Sequence, residues 1–116
     1  MKILLDTTAL LWALSDSPKL PREARELILD NKNEIYYSAA SLLEIKLKKF
    51  AQKLTFSASD IEKYCKKAGY HCLSLAADEI THFSSDKNIS DCFYGILVAQ
   101  ACKDKMKLLS FRKKSW

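Results

Sequence analysis

Lys2-Ile3-Leu4-Leu5-Asp6-Thr7-Thr8-Ala9-Leu10-Leu11-Trp12-Ala13-Leu14 is the stretch that decides the fold. Three apolar residues run into a carboxylate, two hydroxyl residues follow, and a second apolar run begins with helix-forming Ala and Leu. The pattern predicts a short buried strand over Ile3 to Leu5 and a helix starting near Thr8, where a threonine can cap the exposed amides. Asp6 then stands at the carboxyl end of a strand, where open α/β sheets bind their ligands. A turn or capping role is the better account of a lone Asp at this point, so Asp6 needs companions before it marks a site.

Outward from this stretch the chain alternates strand and helix. Ser15 to Leu20 is turn-rich, and Pro21 suits the first position of a helix running to about Asp30, with Ala24, Leu27 and Ile28 inward. Ile35-Tyr36-Tyr37-Ser38 reads as a second strand leading into a third helix from Ala39. On that helix Leu43, Leu47, Phe50 and Leu54 form the apolar stripe, with Lys46, Lys48, Lys49 and Lys53 around it. Glu44 lies beside the stripe, and Ser41-Leu42-Leu43-Glu44 also fits a capping box.

Ser57 to Ala68 reads as a fourth helix closed by Gly69, Tyr70 to Leu75 as a third strand, and Ala76 to Phe83 as a short helix. Ser84 to Asn88 is a polar loop. The next helix, Ile89 to Cys102, is apolar almost all round and is expected to be buried, with Asp91 in its first turn. At helical spacing Asp91, Gly95, Val98 and Cys102 share a face, and Tyr94 lies one turn on from Asp91. Lys107 to Ser110 reads as a last strand. Strands alternating with helices predict a parallel sheet covered on both faces, in which Asp6, Glu44 and Asp91 can converge from far apart in sequence.

Composition bounds the function classes. A chain of 116 residues, 48% hydrophobic and 28% charged with two Gly and two Pro, suits a single helix-rich domain that folds without disulfides or structural metal. Cys65, Cys72, Cys92 and Cys102 lack paired spacing and are expected to be buried free thiols; with only His71 and His82 to help, a zinc site is not expected. Asp6 interrupts the leading apolar run and no stretch is long enough to span a bilayer, so the expected compartment is the cytoplasm. Residues 103 to 116 carry six basic side chains and one acid, which accounts for the whole net charge of +5. Such an end suits an anionic partner such as RNA or an acidic protein segment, or is simply solvated. No Gly-rich phosphate loop is present.

The opening MKILLDTTALLWAL, the segment IYYSAASLLEIKLKK, and ISDCFYGILVAQA followed by KLLS together resemble a PIN domain of the VapC toxin type, in register over nearly the whole chain. The resemblance implies a three-layer α/β/α sandwich with a parallel sheet of four to five strands. It implies a Mg²⁺- or Mn²⁺-dependent endoribonuclease, an antitoxin partner that restrains it, and a homodimer. Asp6 matches the family's first catalytic acid, Glu44 its second, and Asp91 the first acid of an Asp-Pro-Phe-Asp-Arg pattern. The second Asp of that pattern is Tyr94 here and its Arg is Gly95. The family's final Thr-x-Asp reads Ser110-Phe111-Arg112, which keeps a hydroxyl and places a cation where an acid is expected.

With Asp6, Glu44 and Asp91 converging, one Mg²⁺ could be held, because Mg²⁺ prefers oxygen ligands and keeps several waters. A two-metal arrangement would be short of ligands. Ser110 and Tyr94 are candidate supporting groups, and Lys46, Lys48 and Lys113 candidate contacts to the RNA backbone. The alternative expectation is a degenerate PIN domain that binds an antitoxin or RNA without cutting.

Overall fold

The computed structural model describes residues 1–50, 57–81 and 88–111, the side chains of Lys49, Phe50 and Ile89 excepted. The expectations for Leu54, Lys53, His82, Phe83, residues 84–87, Arg112 and Lys113 lie outside the described residues. Four parallel strands, β1 (Lys2–Leu5), β2 (Glu34–Ser38), β3 (His71–Leu73) and β4 (Lys107–Leu109), form one sheet in the order β3-β2-β1-β4. Six helices among the described residues supply the crossovers: α1 (Thr7–Leu14), α2 (Arg22–Leu29), α3 (Ala39–Phe50), α4 (Ala58–Ala68), α5 (Ala77–Thr81) and α6 (Ile89–Lys103).

Alternation along β1 builds the layers. Ile3 and Leu5 pack with Ala9 and Leu10 of α1, Ile45 of α3, and Ile61 and Cys65 of α4. Leu4 points the other way, against Leu97 and Ala101 of α6. All three β1 side chains are fully buried, as expected of a central strand covered on both faces. The fold is α/β, a three-layer α/β/α sandwich as the sequence predicts. A third cluster, Ala40 with Phe93 and Ile96, fastens the start of α3 to α6 above the sheet.

Several local expectations are corrected. The cap of α1 is Asp6 rather than a threonine: its Oδ1 accepts from the Ala9 amide at 2.7 Å. Pro21 sits at the cap of α2 and contributes no side-chain bond there. Strand β3 is only three residues long. On α3 the Leu stripe faces outward: Leu43 and Leu47 are 46% and 48% exposed, whereas Ala40, Ser41, Glu44 and Ile45 are buried. Ser38 receives the Ala40 amide at 3.0 Å; Ser41 lies inside α3 and the Glu44 carboxylate turns to Thr7 and Lys48, so Ser41 is not the cap of a Ser41–Glu44 capping box. Helix α6 is buried on one side, through Phe93, Ile96, Leu97, Gln100 and Ala101, while Val98 and Cys102 are exposed. All four cysteines are free, but only Cys65 is buried; Cys72 and Cys102 are exposed. Gly69 closes α4 with φ +80°, a conformation that favours glycine.

Among the described residues no helix is long and apolar enough to cross a membrane.

Candidate functional site

The sheet winds outward from β1 in both directions, to β2 on one side and β4 on the other, so a crevice opens at the carboxyl ends of β1 and β4. Register places its two floor residues side by side. Leu5 pairs with Leu109, the Asp6 amide donates to the Leu109 carbonyl at 3.0 Å, and the Ser110 hydroxyl donates to Asp6 Oδ2 at 2.7 Å. Ser110, read as a supporting group, therefore orients the first acid directly.

Glu44 enters from α3. Its side chain is drawn inward by two partners: Oε1 lies 2.7 Å from the Thr7 hydroxyl and Oε2 lies 2.9 Å from the Lys48 ammonium. Thr7 Oγ1 is also 3.0 Å from Ser41 Oγ. A hydroxyl has one proton, so the shorter, charge-assisted bond to Glu44 takes it and Ser41 donates in return. Thr7 thereby ties the residue after Asp6 to the helix that carries Glu44. Sequence reasoning missed Thr7, whose only signal was adjacency to Asp6.

Asp6 and Glu44, together with Thr8, Lys48, Ser90, Tyr94 and Phe111, line one cavity of about 290 Å³. Both acids are nearly inaccessible, at 3% and 7% exposure. Burial pushes the Asp6 carboxyl above its ordinary value. Hydrogen bonds from the Ala9 amide, the Ser110 hydroxyl and the Phe111 amide pull it back, and the negative charge of Glu44 adds to the rise.

Helix α6 turns Ser90, Tyr94 and Leu97 to the cavity, which are neighbours at i, i+4 and i+7. Asp91 stands in the first turn of the same helix, half-buried, and is not among the described residues that line the cavity. It belongs to the adjoining face, the one that carries exposed Val98 and Cys102. The structure thus brings Asp6 and Glu44 together with Tyr94 and Ser110 and leaves Asp91 beside that group. Lys48 stands on the cavity wall, and Lys46 is exposed on α3 outside it.

Among the described residues no three His, Cys, Asp or Glu side chains are grouped as a metal site. The oxygen groups around the cavity are two buried carboxylates with the hydroxyls of Thr8, Ser90 and Tyr94, and the Lys48 ammonium stands beside them, 2.9 Å from Glu44 Oε2. That set fits a hard divalent cation such as Mg²⁺, which one or two carboxylates can hold with water completing its shell. Lys48 meets part of the negative charge of Glu44, and a cation between the two acids would neutralise what remains of their repulsion. Compared with protein-family models and with curated proteins, the sequence matches none.

Proposed function

We propose that the protein is a PIN-like, metal-dependent endoribonuclease of the VapC toxin type, hydrolysing RNA phosphodiester bonds under the restraint of a cognate antitoxin. The observation that carries this reading is the convergence of Asp6 and Glu44, 38 positions apart in sequence, on one cavity at the carboxyl ends of β1 and β4. The resemblance picked out these two acids, and the parallel sheet supports their meeting.

Asp6 and Glu44 would hold Mg²⁺ or Mn²⁺, with Asp91 reaching the site through water. A bound Mg²⁺ neutralises phosphate oxygens and lowers the pKa of its water toward neutrality. Ser110 keeps one Asp6 oxygen oriented, and the Ala9 amide holds the other, so the carboxylate is fixed before substrate arrives. Thr7 does the same for Glu44. Lys48, already at the cavity wall, supplies a cation to the substrate's phosphate, and Lys46 extends that positive surface along α3. The exposed Leu43 and Leu47, one turn apart on the same helix, are the apolar surface this reading assigns to a protein partner, the antitoxin or a second copy. A cytoplasmic location belongs to the same proposal.

The test is cleavage of RNA by antitoxin-free protein with and without Mg²⁺, beside Asp6→Asn and Glu44→Gln. Metal-dependent cleavage lost in both variants supports the proposal; equal cleavage by all three discards it.

A second reading, a degenerate PIN domain that binds antitoxin or RNA without cutting, is favoured by Tyr94, which lines the cavity where the resemblance expects an acid. It predicts that Mg²⁺ finds no specific site, and calorimetry separates the two.

A further inference from the structure

A separate cluster of reactive side chains lies where α4 turns into β3. Alternation along β3 decides which way Cys72 points. His71 lies against Tyr36, with ring centroids 5.0 Å apart, and Leu73 packs with Leu4 and Leu97 on the α6 side of the sheet. Cys72, between them, faces the opposite side, in register with Tyr37. Tyr37 is buried there in one core cluster with Ile61 and Cys65 of α4, and Tyr70 packs against the same cluster. The connection between the cysteines is tight: Gly69 reverses the chain, and the Tyr70 amide donates to the Cys65 carbonyl at 2.9 Å. Cys72 stands only roughly 6–7 Å of strand beyond Tyr70. The helix and the strand thus each bring one thiol to the Tyr37 side chain. Their exposure differs, since Cys65 is fully buried and Cys72 is exposed. Burial pushes the Cys65 thiol up to about 12, and the charge of Cys72 adds to the rise. An oxidant from solution therefore reaches Cys72 before Cys65.

We propose that Cys72 and Cys65 are a peroxide-reactive thiol pair, in which the exposed sulfur takes the oxidant and the buried one resolves it to a disulfide tying α4 to β3. Hydrogen peroxide is the oxidant. The Cys72 sulfur attacks one peroxide oxygen, the O–O bond breaks, and the thiol proton leaves with the other oxygen as water. Cys72 is left as a sulfenic acid. The Cys65 sulfur then attacks the Cys72 sulfur, the S–O bond breaks, and the Cys65 proton leaves with the hydroxyl as a second water. The thiol pair loses two electrons and the peroxide gains them. A disulfide needs Cα atoms within roughly 7 Å, and β3 is the element free to settle onto α4, being an edge strand with β2 as its one neighbour in the sheet. Closing the bond withdraws Cys72 from further oxidation to sulfinic acid. Neither cysteine is among the described residues that line the cavity of Asp6 and Glu44, so the inference is independent of the ribonuclease reading.

The test is peptide mapping of the folded full chain after exposure to hydrogen peroxide, quenching with catalase and alkylation in denaturant. Lys66 and Lys67 lie between the two cysteines, so trypsin separates them unless a disulfide holds their peptides together. The wild type is expected to yield the linked peptides, with one hydrogen lost from each thiol, and to return to free thiols with dithiothreitol. Cys65→Ala is expected to lose the link and to stop Cys72 at the sulfenic acid, which dimedone traps. Cys72→Ser is expected to leave Cys65 reduced, and Cys102→Ser, changed on α6, to leave the link intact. Mapping of the wild type decides the matter if Cys65→Ala fails to fold. Oxidation of Cys72 with Cys65 still free to alkylate, a link that forms only in denaturant, or equal oxidation of Cys65 in Cys72→Ser overturns the inference.

Discussion

Replacing Asp6 separates its two structural duties from its charge. Asp6→Ala removes the acceptor for the Ala9 amide, an N-cap worth about 1 kcal/mol, and the acceptor for the Ser110 hydroxyl, a bond to a charged group worth about 1.5–3 kcal/mol. The removal of a desolvated carboxylate offsets part of this, leaving a loss of about 2–3 kcal/mol. With an unfolding entropy of about 0.24 kcal/mol/K for 116 residues, Tm falls by roughly 8–12 °C. Asp6→Asn keeps an acceptor for Ala9 and can donate to Ser110 once that hydroxyl rotates, so it is expected within about 1 kcal/mol of the wild type.

The two differ further with pH. The Asp6 carboxyl lies above its ordinary value of 3.8 chiefly through burial, so the folded state retains a proton that the unfolded state releases. Its contribution to stability therefore falls as pH rises from 3.8 through the raised folded value. Asp6→Asn, which cannot titrate, gains on the wild type over that window and holds the gain above it. Urea denaturation followed by far-UV circular dichroism in metal-free buffer, from about pH 4 to about pH 8, measures both effects. The reasoning is refuted if Asp6→Ala loses less than about 0.5 kcal/mol, or if Asp6→Asn is as damaged as Asp6→Ala.

Ile45→Ala, at a fully buried position, is expected to cost about 2–5 kcal/mol, and Leu43→Ala, at a position 46% exposed, less than about 1 kcal/mol; equal losses in denaturant would restore the Leu stripe as the inner face. Cys72 and Cys102 are expected to react with a thiol reagent near neutral pH. Cys65, whose thiol burial pushes up to about 12, should react only on unfolding, and rapid labelling of all four sites would contradict its burial. Lys48→Met, which leaves the buried Glu44 carboxylate without its cation, is expected to cost about 1.5–3 kcal/mol and to reduce the salt dependence of RNA binding by about one phosphate contact. An unchanged salt slope would remove Lys48 from the interface.

The sheet was legible because β1 is short, apolar and followed by Asp6 at a helix start, and each later strand follows a helix. Asp6 and Glu44 were picked out by the resemblance; position alone left Asp6 a turn or cap residue and Glu44 the acid of a capping box. The inward face of α3 was not legible. Leu outranks Ala and Ser in hydrophobicity, but α3 meets α6 through small Ala40, and Glu44 is accepted inside because Thr7 and Lys48 satisfy it. The same reason hid the cavity face of α6. Spacing counted from Asp91 leads to Val98 and Cys102 on the outside, whereas spacing counted from Ser90 leads to Tyr94 and Leu97. A rotation of one residue about a helix is invisible to periodicity when almost every position is apolar.

Titration of Mg²⁺ into the antitoxin-free protein by calorimetry, repeated with Asp6→Asn and Glu44→Gln, asks most directly whether the two buried carboxylates act together on a cation. One specific site in the wild type, lost in each variant, is the predicted result. Identical heats from all three proteins, or no specific site in any, would contradict it.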